Sequence, residues 1–323
     1  AMSIQSVTGY SGDISWLLGQ YDQGNLLLND SSLPVTLTVT AGWAYAPDLL
    51  SAQSSLSDMN STIRVAVANG VTLEGNAADI VTLLGDSNID LQGNMPVYVD
   101  RAYNDQGDEV ATSAEALQTV LGYTTGPVDA SEITSLVGTD AALLVEAGRM
   151  DANQLTLNAN VAVEDTSTDV TIENLDVLDG HTGGSITVDA TTISGDGLIL
   201  ARDLGNFQTT GHEAIVVTSA LSGAEGVAAL NVLTAATDGV VTASISGTAE
   251  ELAQLQAGGA TNAYTVTATD SGTISAFDLN QINAAIDPVS GTISAIDASV
   301  VSGGVQDIHD VLHSDRITLS GSE

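Results

Sequence analysis

Apolar residues along this chain gather in short clusters of helical spacing, separated by stretches in which apolar and polar residues alternate in period two. The helical clusters share the pattern Gly-x-Ala-x-x-Leu/Ile-x-x-Leu. It reads Gly75, Ala77, Ile80, Leu83 early in the chain, Gly247, Ala249, Leu252, Leu255 late, and Gly303, Ile308, Val311 near the end. Looser copies place their first apolar anchor at Leu117, Leu143, Leu198, Val227 and Leu279. From Ile80 to Ile308 the successive anchors lie 37, 26, 55, 29, 25, 27 and 29 residues apart. The gap of 55 reads as two units with a degraded copy between them, and the gap of 37 as one unit carrying an insertion. A period of this size predicts stacked supersecondary units in place of one globular core.

Residues 263–312 give two consecutive units in detail. Tyr264 to Thr269 alternates and is rich in β-branched residues, which predicts a strand. Asp270-Ser271-Gly272 reads as a turn, and 272–275 as a brief extended piece. Helical spacing then runs from Ala276 to Ile286, with Ser275 as its N-cap, Asp278 three residues on, and Pro288 as its stop. The cycle restarts at Gly291. A helix of ~9–10 residues does not persist alone in water and must lay its apolar face on a sheet. One helix per unit makes the strands parallel and the crossover right-handed.

The expected fold is therefore α/β: a right-handed solenoid of ~27-residue coils with parallel sheets and one short helix per coil. A parallel β-helix with decorating helices is the alternative, and residues 155–200 are open to an all-β reading. Residues 1–60 read as an aromatic-containing cap or divergent coils, and 61–323 as the repeat, cleanest at 213–323. Both tryptophans, Trp16 and Trp43, fall in the first part beside Tyr10, Tyr21 and Tyr45. Bulky rings there suit the closing of a solenoid end or, alternatively, a sugar-binding surface.

Charge removes several function classes. The chain carries 41 acidic residues against 5 arginines and no lysine, a formal charge of −36. Such a field repels nucleic acid and anionic lipid. With 43% hydrophobic residues and its acids dispersed singly, the chain is no disordered acidic tail. There is no cysteine, hence no disulfide and no thiolate metal site. No stretch approaches the ~18 apolar residues of a membrane span. The start lacks a signal-peptide pattern, and the chain reads as a piece of something longer.

Candidate chemistry is sparse. Four histidines are present; His309 and His313 have chelating spacing but no glutamate of the zinc-protease kind, and a solvated helix face accounts for them. The nucleophile elbow and the phosphate-cradling loop are absent, and five scattered arginines do not suit a uronate-cleaving enzyme. No catalysis is expected. Calcium is the one cofactor the oxygen-rich surface suits, and the densest donor set is Asp100, Asn104, Asp105, Asp108 and Glu109, inside the insertion. An ordinary hairpin explains the same residues.

Residues 246–252 (Ser-Gly-Thr-Ala-Glu-Glu-Leu), 273–280 (Thr-Ile-Ser-Ala-Phe-Asp-Leu-Asn) and 286–293 (Ile-Asp-Pro-Val-Ser-Gly-Thr-Ile) carry a resemblance. They resemble the Gly-Thr-Ala-Ala-Asp-Leu and Ala-Ala-Asp-Leu-Asn repeats of giant secreted cell-surface proteins of marine cyanobacteria and related bacteria. The resemblance is best over 213–323. It implies an extracellular structural, motility, adhesion or surface-layer role, with neighbouring repeats and cell-surface polysaccharide as partners, and it supplies no catalytic residues.

Overall fold

A computed structural model describes residues 2–4, 10–11, 26–28, 36–39, 42–57, 64–258 and 261–320. The chain is an α/β protein with mostly parallel sheets. It divides into two compact units: residues 1–162 with 180–185, and residues 163–179 with 186–323.

The first unit opens with β1 (Met2–Ile4), β2 (Tyr10–Ser11), β3 (Leu26–Leu28), β4 (Thr36–Val39) and β5 (Trp43–Tyr45). Helix α1 (Ala46–Ser57) follows, then β6 (Arg64–Val67), β7 (Thr72–Asn76) and α2 (Ala77–Gly85). Next come β8 (Ile89–Asp90), β9 (Val97–Asp100), β10 (Ala102–Tyr103), β11 (Glu109–Val110), β12 (Thr112–Ser113) and α3 (Ala114–Tyr123). The unit continues through β13 (Val128–Ala130), β14 (Ser135–Gly138), α4 (Asp140–Asp151) and β15 (Leu155–Leu157). One sheet runs β15-β13-β9-β7-β5 and another β2-β4-β6-β8. Their strands are parallel, each pairing with the strand one repeat further on: Leu73 faces Val97, Val97 faces Val128 and Val128 faces Leu155. The insertion expected between Ile80 and Leu117 is the antiparallel hairpin β10–β11.

Beyond β16 (Asn160–Thr171), the second unit holds all but the last two residues of α5 (Ile172–His181), then β17 (Ile186–Gly195), α6 (Gly197–Asp203), β18 (Gln208–Thr209), β19 (Ala214–Ser222) and α7 (Gly223–Ala236). It continues with β20 (Val240–Gly247), α8 (Ala249–Leu252), β21 (Thr261–Ala268), β22 (Thr273–Ser275) and α9 (Ala276–Ala285). It closes with β23 (Thr292–Ala295), β24 (Val300–Ser302), α10 (Val305–Leu312) and β25 (Ile317–Leu319). Its main sheet passes β17-β19-β20-β21-β23-β25 in parallel, and β22 pairs with β24 in parallel. Along β21 the expected alternation holds, with Tyr264, Val266 and Ala268 buried.

One local rule generates the helices. A polar residue caps six of the starts: Asn76, Ser113, Thr139, Asp196, Thr248 and Ser275 each accept a backbone amide two or three residues on, whereas α7 and α10 have no side-chain cap. Thr248 and Glu251 complete a capping box. Four residues after the cap stands a buried aliphatic: Ile80, Leu117, Leu143, Leu200, Leu252 and Leu279. This register corrects the expected anchor Leu198, which is exposed while Leu200 is buried. It also places Leu175, fully buried, as the degraded copy inside the long gap, so the segment 155–200 contains helices α5 and α6 and is not all β. At α10 Ile308 is half-buried and Val311 takes the buried position.

Glycine before the cap has a packing reason. A methyl group at Gly138 would stand 2.6 Å from the Cβ of Ala114, and one at Gly75 2.9 Å from the Cβ of Ala46. Gly303 approaches Ala276 in the same way, at 3.0 Å. Each glycine thus seats on the small first residue of the preceding helix, which is why Gly-x-Ala recurs.

A second rule operates where the chain returns to a strand. Thr124 Oγ1 donates to the Met95 carbonyl oxygen at 2.6 Å and accepts from the Gly126 amide at 2.9 Å. Thr237 repeats this with the Glu213 carbonyl at 2.7 Å and the Gly239 amide at 2.9 Å. Thr182, between the Ala159 carbonyl and the Gly184 amide, is the third instance. Cβ atoms at Gly126 or Gly184 would fall 2.6 Å from those same carbonyl oxygens.

Candidate functional site

The outer face of the sheet β15-β13-β9-β7-β5 carries the densest group of unusual side chains. Alternation sends Ala44, Leu73, Val97, Val99, Val128, Ala130 and Leu155 inward, where all are buried. Their neighbours point outward: Trp43 and Tyr45 on β5, Glu74 on β7, Tyr98 and Asp100 on β9, Asp129 on β13. Register then builds a lateral row, since Tyr45 faces Glu74, Glu74 faces Tyr98, Tyr98 faces Asp129 and Asp129 faces Thr156. Aromatic and carboxylate therefore alternate across successive strands.

Trp43 is 58% exposed and Tyr45 42%. Trp43 leans over the row to meet Tyr98 edge to face, with ring centroids 5.5 Å apart and planes at 83°. The carboxyls feel each other and the rings. Burial and then the charge of Asp100 push the Glu74 pKa up; burial and then Glu132 do the same for Asp100. The Tyr45 and Tyr98 hydroxyls are pushed up by partial burial and by these acids, so both remain neutral donors.

Trp43, singled out by composition, thus lies on an open sheet face. Trp16 lies outside the described residues. The five oxygen donors of the insertion are each placed by the hairpin. Asn104 Oδ1 accepts the amides of Gln106 (3.0 Å) and Asp108 (2.9 Å), and Gly107 supplies the left-handed turn residue at φ +84°. Asp105 and Asp108 project into solvent. Glu109 is approached by Arg101 at 3.7 Å and by the Thr134 hydroxyl, while Asp100 sits on β9 opposite Asn76. Among the described residues, no three His, Asp or Glu side chains gather as a metal would require. His309 on α10 and His313, which caps its end, stack face to face with centroids 4.1 Å apart, and both are exposed.

One buried carboxyl stands apart from these groups. Glu146 on α4 is 1% exposed, and neither of its oxygens forms a hydrogen bond of normal geometry. It stands three residues after the anchor Leu143, the position filled by Leu83, Val120, Leu178, Leu230 and Ile282 in other helices. Burial pushes its pKa up to about 8; its own amide offsets part of that, and the charge of Glu115 adds to it. Asp203 holds the same position in α6 but is met by Arg202, which keeps its pKa low.

In the second unit a shallow groove of about 430 Å³ lies between α7 and α8, lined by Val227, Asn231, Glu250, Glu251 and Gln254. Asn231 is spent bridging the Gln254 carbonyl and the Gln256 amide, both at about 3 Å. Among the described residues no helix is long and apolar enough to cross a membrane. Family models, curated proteins and solved structures contain no match to this chain.

Proposed function

We propose that the chain is a non-catalytic structural module of a large extracellular bacterial surface protein. In this reading it is a right-handed solenoid whose acidic coils serve as a spacer, each coil stacking on the next copy of the repeat. What supports this is the repetition of one construction rule: cap, small first residue and buried aliphatic recur, and Gly75, Gly138, Gly303 and the threonine bridges reach into the preceding repeat. Interactions of this kind are nearest-neighbour terms, so the object grows by adding coils. The charge of −36 keeps such surfaces from collapsing on one another in salt water.

The test is an in-phase deletion. Removing residues 249–275 joins the cap Thr248 to Ala276 and takes out one coil. The shortened protein is expected to melt cooperatively with retained circular dichroism, whereas removing 249–262 breaks the phase and unfolds the region. Equal loss of structure in both would sink the reading. A second reading, an adhesin segment that holds glycan with help from calcium, draws support from the exposed rings of Trp43 and Tyr45.

A further inference from the structure

We propose that the outer face of the first unit's five-stranded sheet, through Trp43, Tyr45, Glu74, Tyr98, Asp100 and Asp129, binds an uncharged, β-linked polysaccharide laid across the strands. This rests on the second reading above and gives it a ligand class and an address. Aromatic residues make up only 3% of the chain, and the core of this sheet is built from alanine, valine and leucine. The rings are therefore not needed inside, yet three of them stand on one outer face within three strands. An exposed apolar group set among polar ones marks a binding surface.

The chemistry narrows the occupant. The C–H faces of pyranose rings cover aromatic faces, while their hydroxyls donate to carboxylates, and this face alternates the two kinds of group. Strands lie about 4.8 Å apart, so equivalent positions on β5 and β9 are about 10 Å apart, close to the length of a disaccharide in an extended chain. Equatorial linkages keep such a chain flat enough to follow a sheet. The perpendicular rings of Trp43 and Tyr98 form a corner that covers one sugar from below and from the side. Glu74, Asp100 and Asp129 repel uronates and sulfated sugars, as does the whole molecule at −36. A protein partner would have to bring bases to all three carboxylates.

Affinity electrophoresis of the full chain tests this directly, in gels containing hydroxyethyl cellulose, β-mannan or mixed-linkage β-glucan, with alginate as the acidic control. Retardation by at least one neutral polymer and none by alginate is expected. Trp43→Ala and Tyr98→Ala should each weaken that retardation at least tenfold with an unchanged melting temperature. Asp129→Asn, which keeps the shape and removes the charge, should weaken it less. Lack of retention on every neutral polymer overturns the proposal, as does retention that both ring substitutions leave intact. Self-association in sedimentation that Trp43→Ala abolishes would assign the face to a second copy and overturn it as well. The coil deletion at 249–275 lies in the other unit, so failure of the spacer reading and failure of this one are separately visible.

Discussion

At the scale of single residues, Glu146 is where the repeat rule and the chemistry disagree. Its position calls for leucine, and the carboxyl it carries has neither solvent nor a bonded partner. Elements packed on α4 offer it no relief: β14 and β15 carry no charge, and the carboxylate of Glu115 on α3 repels it. On α4 itself, Arg149 is turned to Gln154 and Asp151 to His181. The consequence for stability has a definite sign. With a folded pKa of about 8 against an unfolded value of 4.5, the carboxyl is neutral in the folded protein over a range where the unfolded chain ionises. Its cost is absent below pH 4.5, grows as pH rises from 4.5 to 8, and is constant above, on the order of 5 kcal/mol in full. Glu146→Gln is expected to raise the melting temperature at pH 8 and to leave it nearly unchanged at pH 4.5. Parallel melting curves for the two proteins at both pH values would show that the group is solvated after all. Other carboxyls work the opposite way: Glu251 and Asp196 are held below their usual range by the amides they cap, so their contribution fades as pH falls. The comparison of wild type with one substitution cancels those terms.

At the scale of the element, the capped helix starts are held by contacts that single changes isolate. Gly138→Ala puts a methyl group against Ala114 of the preceding helix and is expected to cost about 1–3 kcal/mol, measured by urea titration. The same change at Gly272, where the added carbon meets nothing, serves as the control. Thr248→Ala removes the side-chain half of the capping box, the bond from the Glu251 amide to Oγ1, while the Thr248 amide still donates to Glu251, and should cost about 1 kcal/mol. Much of this was legible in the chain because caps and anchors are local signals: Ser275 and the strand from Tyr264 follow from spacing alone. The misplaced anchor at Leu198 shows the limit. Leu198, Ile199 and Leu200 are equally apolar, and only the geometry of the cap Asp196, bonded to the amides of Leu198 and Ile199, decides which one faces the sheet. The threonine bridge left still less trace, since its partners at Met95, Ala159 and Glu213 are backbone carbonyls that any residue supplies. The aromatic face was half visible. Trp43 stood out by rarity, but Tyr98 meets it across 55 residues of chain, and Asp129 joins Tyr98 only through a strand register spanning 31 more.

At the scale of the whole molecule, the dominant fact is a charge of −36 on a chain with five basic residues. Among the described residues, the ion pairs of Arg101 with Glu109 and Glu132 lie at the surface, where such contacts contribute little. Net repulsion therefore opposes folding, and it is exerted mainly between groups that water and salt reach. Screening should relieve it, because the Debye length falls from about 30 Å at 0.01 M to about 10 Å at 0.1 M salt. Sodium chloride raised over that range is expected to lift the melting temperature by several degrees, whereas a protein held by surface ion pairs would lose stability. Divalent cations separate a diffuse effect from a built site. At matched ionic strength, magnesium and calcium are expected to act alike on metal-stripped protein, since the acids are dispersed singly. A calcium shift well beyond that of magnesium, lost in Asp105→Asn with Asp108→Asn, would instead put an ion in the hairpin after β10. That outcome would change the account of the surface from a repulsive field to one closed by cations, and calorimetric titration with calcium would then show a saturating isotherm where a diffuse ion cloud gives none.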